Sequence, residues 1–145
     1  MKKLVLLTLI SSLLAGCAGG PKASKEEDIL AKQFISPNNG TSNLYIYRNE
    51  NFGGGVDMEV YIDDNYIATT GPKTYIFKNL PAGEHKIEGK AFEGTSIIKI
   101  NMLPNHIHYV WQEVKMGVFG ARNRLQEVNS KEGQEGVLES SRLMH

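Results

Sequence analysis

The chain is poor in the means by which small secreted domains are stapled: it has one cysteine in 145 residues. An intrachain disulfide is excluded, so the folded part must stand on its core alone. Neither sign of charge prevails. Sixteen Lys and Arg meet sixteen Asp and Glu, and setting aside Lys2 and Lys3 leaves 14 against 16, a net charge near −2. A nucleic-acid partner would need a basic field, so that class is set aside. No apolar run approaches the roughly 20 residues that cross a bilayer as a helix. No cysteine pair has zinc-ligand spacing. No serine, Ser96 and Ser130 included, sits in a strand–elbow–helix signature, and Asp63-Asp64 suits a turn better than acid–base work. Solenoid repeats and nucleotide-type strand–helix alternation are also missing.

What is present begins at residue 1. Met1-Lys2-Lys3 is basic, Leu4 to Leu14 is apolar and short, and Ala15-Gly16 leads into Cys17, the lone cysteine. That order is a secretory signal peptide, and its Leu14-Ala15-Gly16-Cys17 ending resembles the signal of a bacterial lipoprotein. The resemblance implies cleavage before Cys17, a covalent acyl lipid on Cys17, and, with Ala18 rather than Asp following, the outer membrane facing the periplasm in preference to the inner membrane. Two or more acyl chains hold a protein stably where one holds it marginally. The expected organisation is a signal at 1–16, a lipid-anchor tether with a short helix at 17–40, and a β-domain at 41–145.

Ala18 to Ala23 carries Gly19, Gly20 and Pro21 and reads as a flexible spacer. Ser24 and Glu27 form a capping-box pattern, predicting a helix over 24–34. From residue 42 the period drops to two. Leu44 to Tyr47 is apolar on both sides, as in a central strand. Met58, Val60 and Ile62 alternate with Glu59, Tyr61 and Asp63, and Asp64-Asn65 predicts a hairpin turn. Gly71-Pro72, Pro81-Ala82-Gly83, Gly94 and Pro104-Asn105 mark further turns. Glu84, Lys86, Glu88 and Lys90 alternate with His85, Ile87, Gly89 and Ala91, one face wet and one core. Ile107, Tyr109 and Trp111 share a face. Arg124 to Val128 closes the β-region, and Asn129 or Ser130 caps a terminal helix. Its Gly133 and Gly136 each cost up to about 1 kcal/mol against alanine, so it needs docking. The predicted class is all-β: a small antiparallel β-sandwich, Ig-like or prealbumin-like, of seven to eight strands with a short helix at each end.

The runs Leu44-Tyr45-Ile46-Tyr47-Arg48, Val60 to Ile67, Leu80-Pro81-Ala82-Gly83-Glu84-His85 and Tyr109-Val110-Trp111-Gln112 resemble an uncharacterised family of bacterial lipoproteins with a domain of unknown function (DUF 2846), over roughly residues 38–140. Residues 81–85 also resemble the surface-layer-type β-sandwich modules named for a Pro-Glu-Gly-Ala motif, in altered order. These resemblances imply a β-sandwich on a lipid anchor. They carry no catalytic residue and no cofactor.

Several segments stand out as sites. Phe52-Gly53-Gly54-Gly55 belongs to a glycine-rich loop that presents bare backbone donors and an aromatic tip; the plainer reading is a bulge or hairpin tip. Lys115, Arg122 and Arg124, near Phe119, form a basic group suited to anionic head groups or cell-wall carboxylates. Tyr47, Tyr109 and Trp111 read either as an aromatic platform or, more plainly, as core. His106 and His108, with His85 or Asp63, form the alternative: a metal site or metal-dependent enzyme. The expectation is a non-catalytic binding or structural module, with the loop Asn51–Gly55 and the segment Met116–Arg124 as its contact surfaces, the membrane as partner through its anchor and an envelope protein or cell-wall component as a second partner.

Overall fold

The computed structural model describes residues 19–51 and 55–145. Among these residues nine strands form two sheets. One has the order β8-β7-β1-β4-β9, with β8 at Ala121–Val128, β7 at Ile107–Met116, β1 at Thr41–Arg48, β4 at Thr74–Pro81 and β9 at Ser141–Arg142. The other has the order β3-β2-β5-β6, with β3 at Asn65–Thr70, β2 at Met58–Ile62, β5 at Gly83–Lys90 and β6 at Thr95–Met102. Two helices accompany them, α1 at Lys25–Ala31 and α2 at Ser130–Leu138. The chain is the small β-sandwich its alternation predicts. Two neighbouring pairs, β1 with β7 and β4 with β9, run parallel rather than antiparallel.

The two-sided apolarity of β1 has a direct cause. Its even positions, Leu44 and Ile46, face the other sheet and pack with Val60, Ile62, Ile87, Ile100 and Val110. Its odd positions, Tyr45 and Tyr47, face outward and are buried with Tyr75, Tyr109, Ala31 and Val137, residues that include one from each helix. The five-stranded sheet is thus covered on both faces, and β1 at its centre reads as a continuous apolar run. Tyr45 stacks on Tyr109 with ring centres 5.3 Å apart and lies 5.0 Å from Phe77. Its hydroxyl donates to the Ala31 carbonyl at 2.6 Å, which satisfies the buried phenol.

The capping box at α1 forms: Ser24 Oγ accepts from Glu27 N–H and Glu27 returns the bond to Ser24 N–H. Asn129 caps α2 by accepting from Glu132 N–H. The glycines of α2 are there for close approach. A Cβ on Gly136 would lie 2.6 Å from Tyr47 Cζ and nearer still to Cε2, and one on Gly133 would lie 2.5 Å from Tyr109 Cδ1. The hairpin turn falls one residue earlier than expected, on Asp63 and Asp64, whose φ of 49° and 68° fit the two central positions of a type I′ turn.

Residues 19–23 are not a free spacer. Gly20 N–H donates to the Thr69 carbonyl at 2.8 Å, Pro21 accepts from Met144 N–H, and Ala23 N–H donates to the Arg142 carbonyl. Lys22 bridges to Leu143. This segment laces the end of β3 to the C-terminal strand. Asp28 reinforces the closure, accepting from Tyr75 Oη at 2.8 Å, Arg142 N–H at 3.0 Å and Lys32 Nζ at 2.8 Å.

Candidate functional site

The strand registers gather one set of loops at one end of the sandwich. Arg48 pairs with Thr74, Met58 with Thr70, Lys90 with Thr95, and Met116 with Ala121. The connections 49–57, 71–73, 91–94 and 117–120 therefore share a pole. A buried guanidinium organises it. Arg48 donates through Nη1 to the Val56 carbonyl at 2.6 Å and through Nε to Glu50 at 3.0 Å. Burial pulls its pKa down, against the pull of Glu50. Beside it, Thr70 Oγ1 donates to Gln112 Oε1 at 2.6 Å across the two sheets.

Glu93 ties two of the loops together. Its carboxylate accepts from Phe119 N–H at 3.1 Å, Gly120 N–H at 3.3 Å and Arg122 Nη2 at 2.6 Å. The Phe119 amide, ahead of Arg122, holds the Glu93 carboxyl below its ordinary range. With its backbone so engaged, the 117–120 turn presents its side chains outward. Phe92 is 81% exposed, Met116 77%, Val118 75% and Phe119 87%. Phe92, Phe119, Gly55 and Asp57 line one shallow recess of about 440 Å³. Apolar residues at turn tips, where polar ones are the rule, are the chemistry of this pole.

The basic group does not stand alone as a positive patch. Lys115 pairs with Glu113 at 2.7 Å, Arg122 with Glu93, and Arg124 lies opposite Glu113 in the β7–β8 register. Gly55 and Phe119 do meet at the recess. Phe52, Gly53 and Gly54 lie outside the described residues, as does Cys17. The aromatic platform is not formed: Tyr47 and Tyr109 are buried beneath α2, and only Trp111 of the three keeps partial exposure.

His85, His106 and His108 lie at the opposite pole, each with its own partners. His85 Nδ1 is 2.6 Å from Asp63 Oδ2 and its Nε2 is 2.8 Å from the Pro81 carbonyl. Both partners can only accept, which suits the doubly protonated ring. Burial lowers the His85 pKa, but the Asp63 and Pro81 bonds outweigh it and the net direction is upward. His108 Nε2 accepts from Leu103 N–H, so its Nδ1–H donates to Glu127 at 2.8 Å. His106 faces the Pro104 carbonyl. Among the described residues no three His, Cys, Asp or Glu side chains converge as metal ligands, and no helix is long and apolar enough to cross a membrane. Sequence reasoning found Met116, Val118 and Phe119 through the segment 116–124 but missed Phe92, Glu93 and Asp57. The available signal was an aromatic residue set in a turn, Phe92-Glu93-Gly94, like Val118-Phe119-Gly120.

The family described as "Protein of unknown function (DUF2846)" matches residues 38–123, a stretch from the approach to β1 into β8 that contains all four pole loops. The chain is also similar to an uncharacterized protein of Haemophilus influenzae. The two are 37% identical over 128 residues, covering 88% of this chain and 76% of the relative.

Proposed function

The chain belongs to the DUF2846 family of proteins of unknown function, and we propose that it is a lipoprotein: a non-catalytic binding or structural module held by acyl chains on Cys17 at the periplasmic face of the outer membrane. The observation that carries this reading is the Leu14-Ala15-Gly16-Cys17 ending of a short basic-then-apolar leader in a chain with no other cysteine. Such a thiol has no disulfide partner, and acylation gives it a use. A binding role is favoured over a catalytic one by the ordinary hydrogen bonds that engage both ring nitrogens of His85 and His108. The contact surface is the loop pole, from Gly55 and Phe92 to the segment 116–124.

Fractionation of cells carrying the native chain and a Cys17→Ser variant tests the anchor. The native protein sediments with outer membranes and is released by detergent, while the variant does not mature and loses that distribution. Equal, soluble behaviour of both forms overturns the proposal.

A further inference from the structure

Gly19 is fixed in place. Its N–H donates to Asp57 Oδ1 at 2.7 Å, and its α-carbon lies so close to Gly71 that a Cβ there would stand 2.8 Å from Gly71 N. Only Ala18 separates it from Cys17. Whatever conformation those two steps take, a chain spans at most about 3.6 Å per residue, so Cys17 lies within roughly 7 Å of Gly19. An acyl chain on Cys17 therefore leaves the body at the loop pole, with no spacer to hold the pole away from the lipid. Asp57, which holds Gly19, lines the same recess as Phe92 and Phe119.

Resting on the lipoprotein reading, we propose that this pole is a bilayer contact: Phe92, Met116, Val118 and Phe119 enter the lipid surface into which Cys17 is anchored. Four large apolar side chains at three-quarters exposure or more are costly to leave in water. The anchor brings a bilayer to them at high effective concentration. Amphipathic surface helices sink their apolar face about 5–10 Å, into the boundary between head groups and acyl chains, and these turn side chains are placed to enter the same boundary. Lys115 and Arg122 are already paired with Glu113 and Glu93. The contact is therefore apolar in origin, and its strength does not follow salt. It fixes the orientation of the sandwich. The 117–120 and 91–94 turns face the lipid, while His85, His106 and the Asp63-Asp64 turn face away into the aqueous space.

Full-length protein with Val118→Cys or Glu84→Cys is purified from membranes, its acylation checked by intact mass, labelled with a polarity-sensitive dye, and reconstituted into phosphatidylethanolamine/phosphatidylglycerol vesicles. Acylation blocks Cys17, so the dye reports only the new thiol. Val118 is at the loop pole and Glu84, also exposed, is at the other. The expected result is a blue shift and a severalfold loss of iodide quenching at residue 118 on reconstitution, unchanged at high salt, with no change at residue 84. Acylated protein whose two positions stay equally quenchable refutes the pole contact and leaves the anchor standing. Protection at residue 118 that rises with protein density means a second copy covers the pole, and also refutes it. Protein lacking acyl mass on Cys17 overturns both the anchor and this inference.

Discussion

Replacing Gly136 with alanine sets two known quantities against each other. In an isolated helix the change gains about 1 kcal/mol, because glycine loses the most backbone freedom. In this fold the new methyl would lie 2.6 Å from Tyr47 Cζ and closer to other ring atoms, where carbon–carbon contact needs about 3.5–4.0 Å. Tyr47 cannot retreat: it is 2% exposed and belongs to β1, the central strand of its sheet. Overpacking of this kind costs typically about 1–3 kcal/mol, occasionally more. At a site where the ring is backed by a sheet the steric side wins, giving a net loss of up to roughly 2 kcal/mol. Gly133→Ala meets Tyr109 in the same way. The double variant lifts α2 from the sheet, uncovering Val137 and both rings. Urea unfolding followed by far-UV circular dichroism gives the free energies. Emission from Trp111, the only tryptophan, reports docking, because Trp111 and Gly136 border the same recess. Gains of about 1 kcal/mol from each substitution would follow helix propensity alone and refute the packing account.

Asp28→Ala leaves the Tyr75 hydroxyl and the Arg142 amide without their acceptor and should cost about 2–3 kcal/mol in a urea titration. His85→Gln should lower the urea midpoint, relative to the native chain, more at pH 6 than at pH 9. The raised His85 pKa makes its contribution complete below the ordinary value of 6.5 and removes it as pH climbs through the folded-state value. Asp63, raised by burial but lowered further by His85, keeps the charge needed for that pairing until the pH falls through its own depressed value. Arg48→Ala should cost about 3–5 kcal/mol, since Glu50 and the Val56 carbonyl lose a buried partner. In hydrogen exchange it should free the backbone around 55–57 before the rest of the sandwich.

Local chemistry was the legible part of this chain. The Ser24–Glu27 box depends on atoms three residues apart and forms as its spacing predicts, and of the two candidate caps for α2, Asn129 and Ser130, it is Asn129 that accepts the Glu132 amide. The two-sided run at Leu44–Tyr47 announced a strand covered on both faces, though not that the two helices supply the outer cover. Long-range features left no trace in local pattern. The parallel pairing of β1 with β7 joins residues some sixty positions apart. β9 has two residues and is held by Tyr75, Asp28 and residues 21–23, so no period could reveal it. Gly19-Gly20-Pro21 has the composition of a linker, yet Thr69, Asp57 and Met144 pin it. At the candidate site the apolar turn 117–120 was readable, whereas the carboxylate of Glu93 that ties it to Phe92's turn comes from 26 residues away.

Intact mass spectrometry of the native protein extracted from membranes tests the central claim most directly. The account predicts a chain that starts at Cys17 and carries the added mass of a diacylglycerol and a further acyl chain. An unacylated chain, or one cleaved elsewhere with Cys17 free, would contradict it.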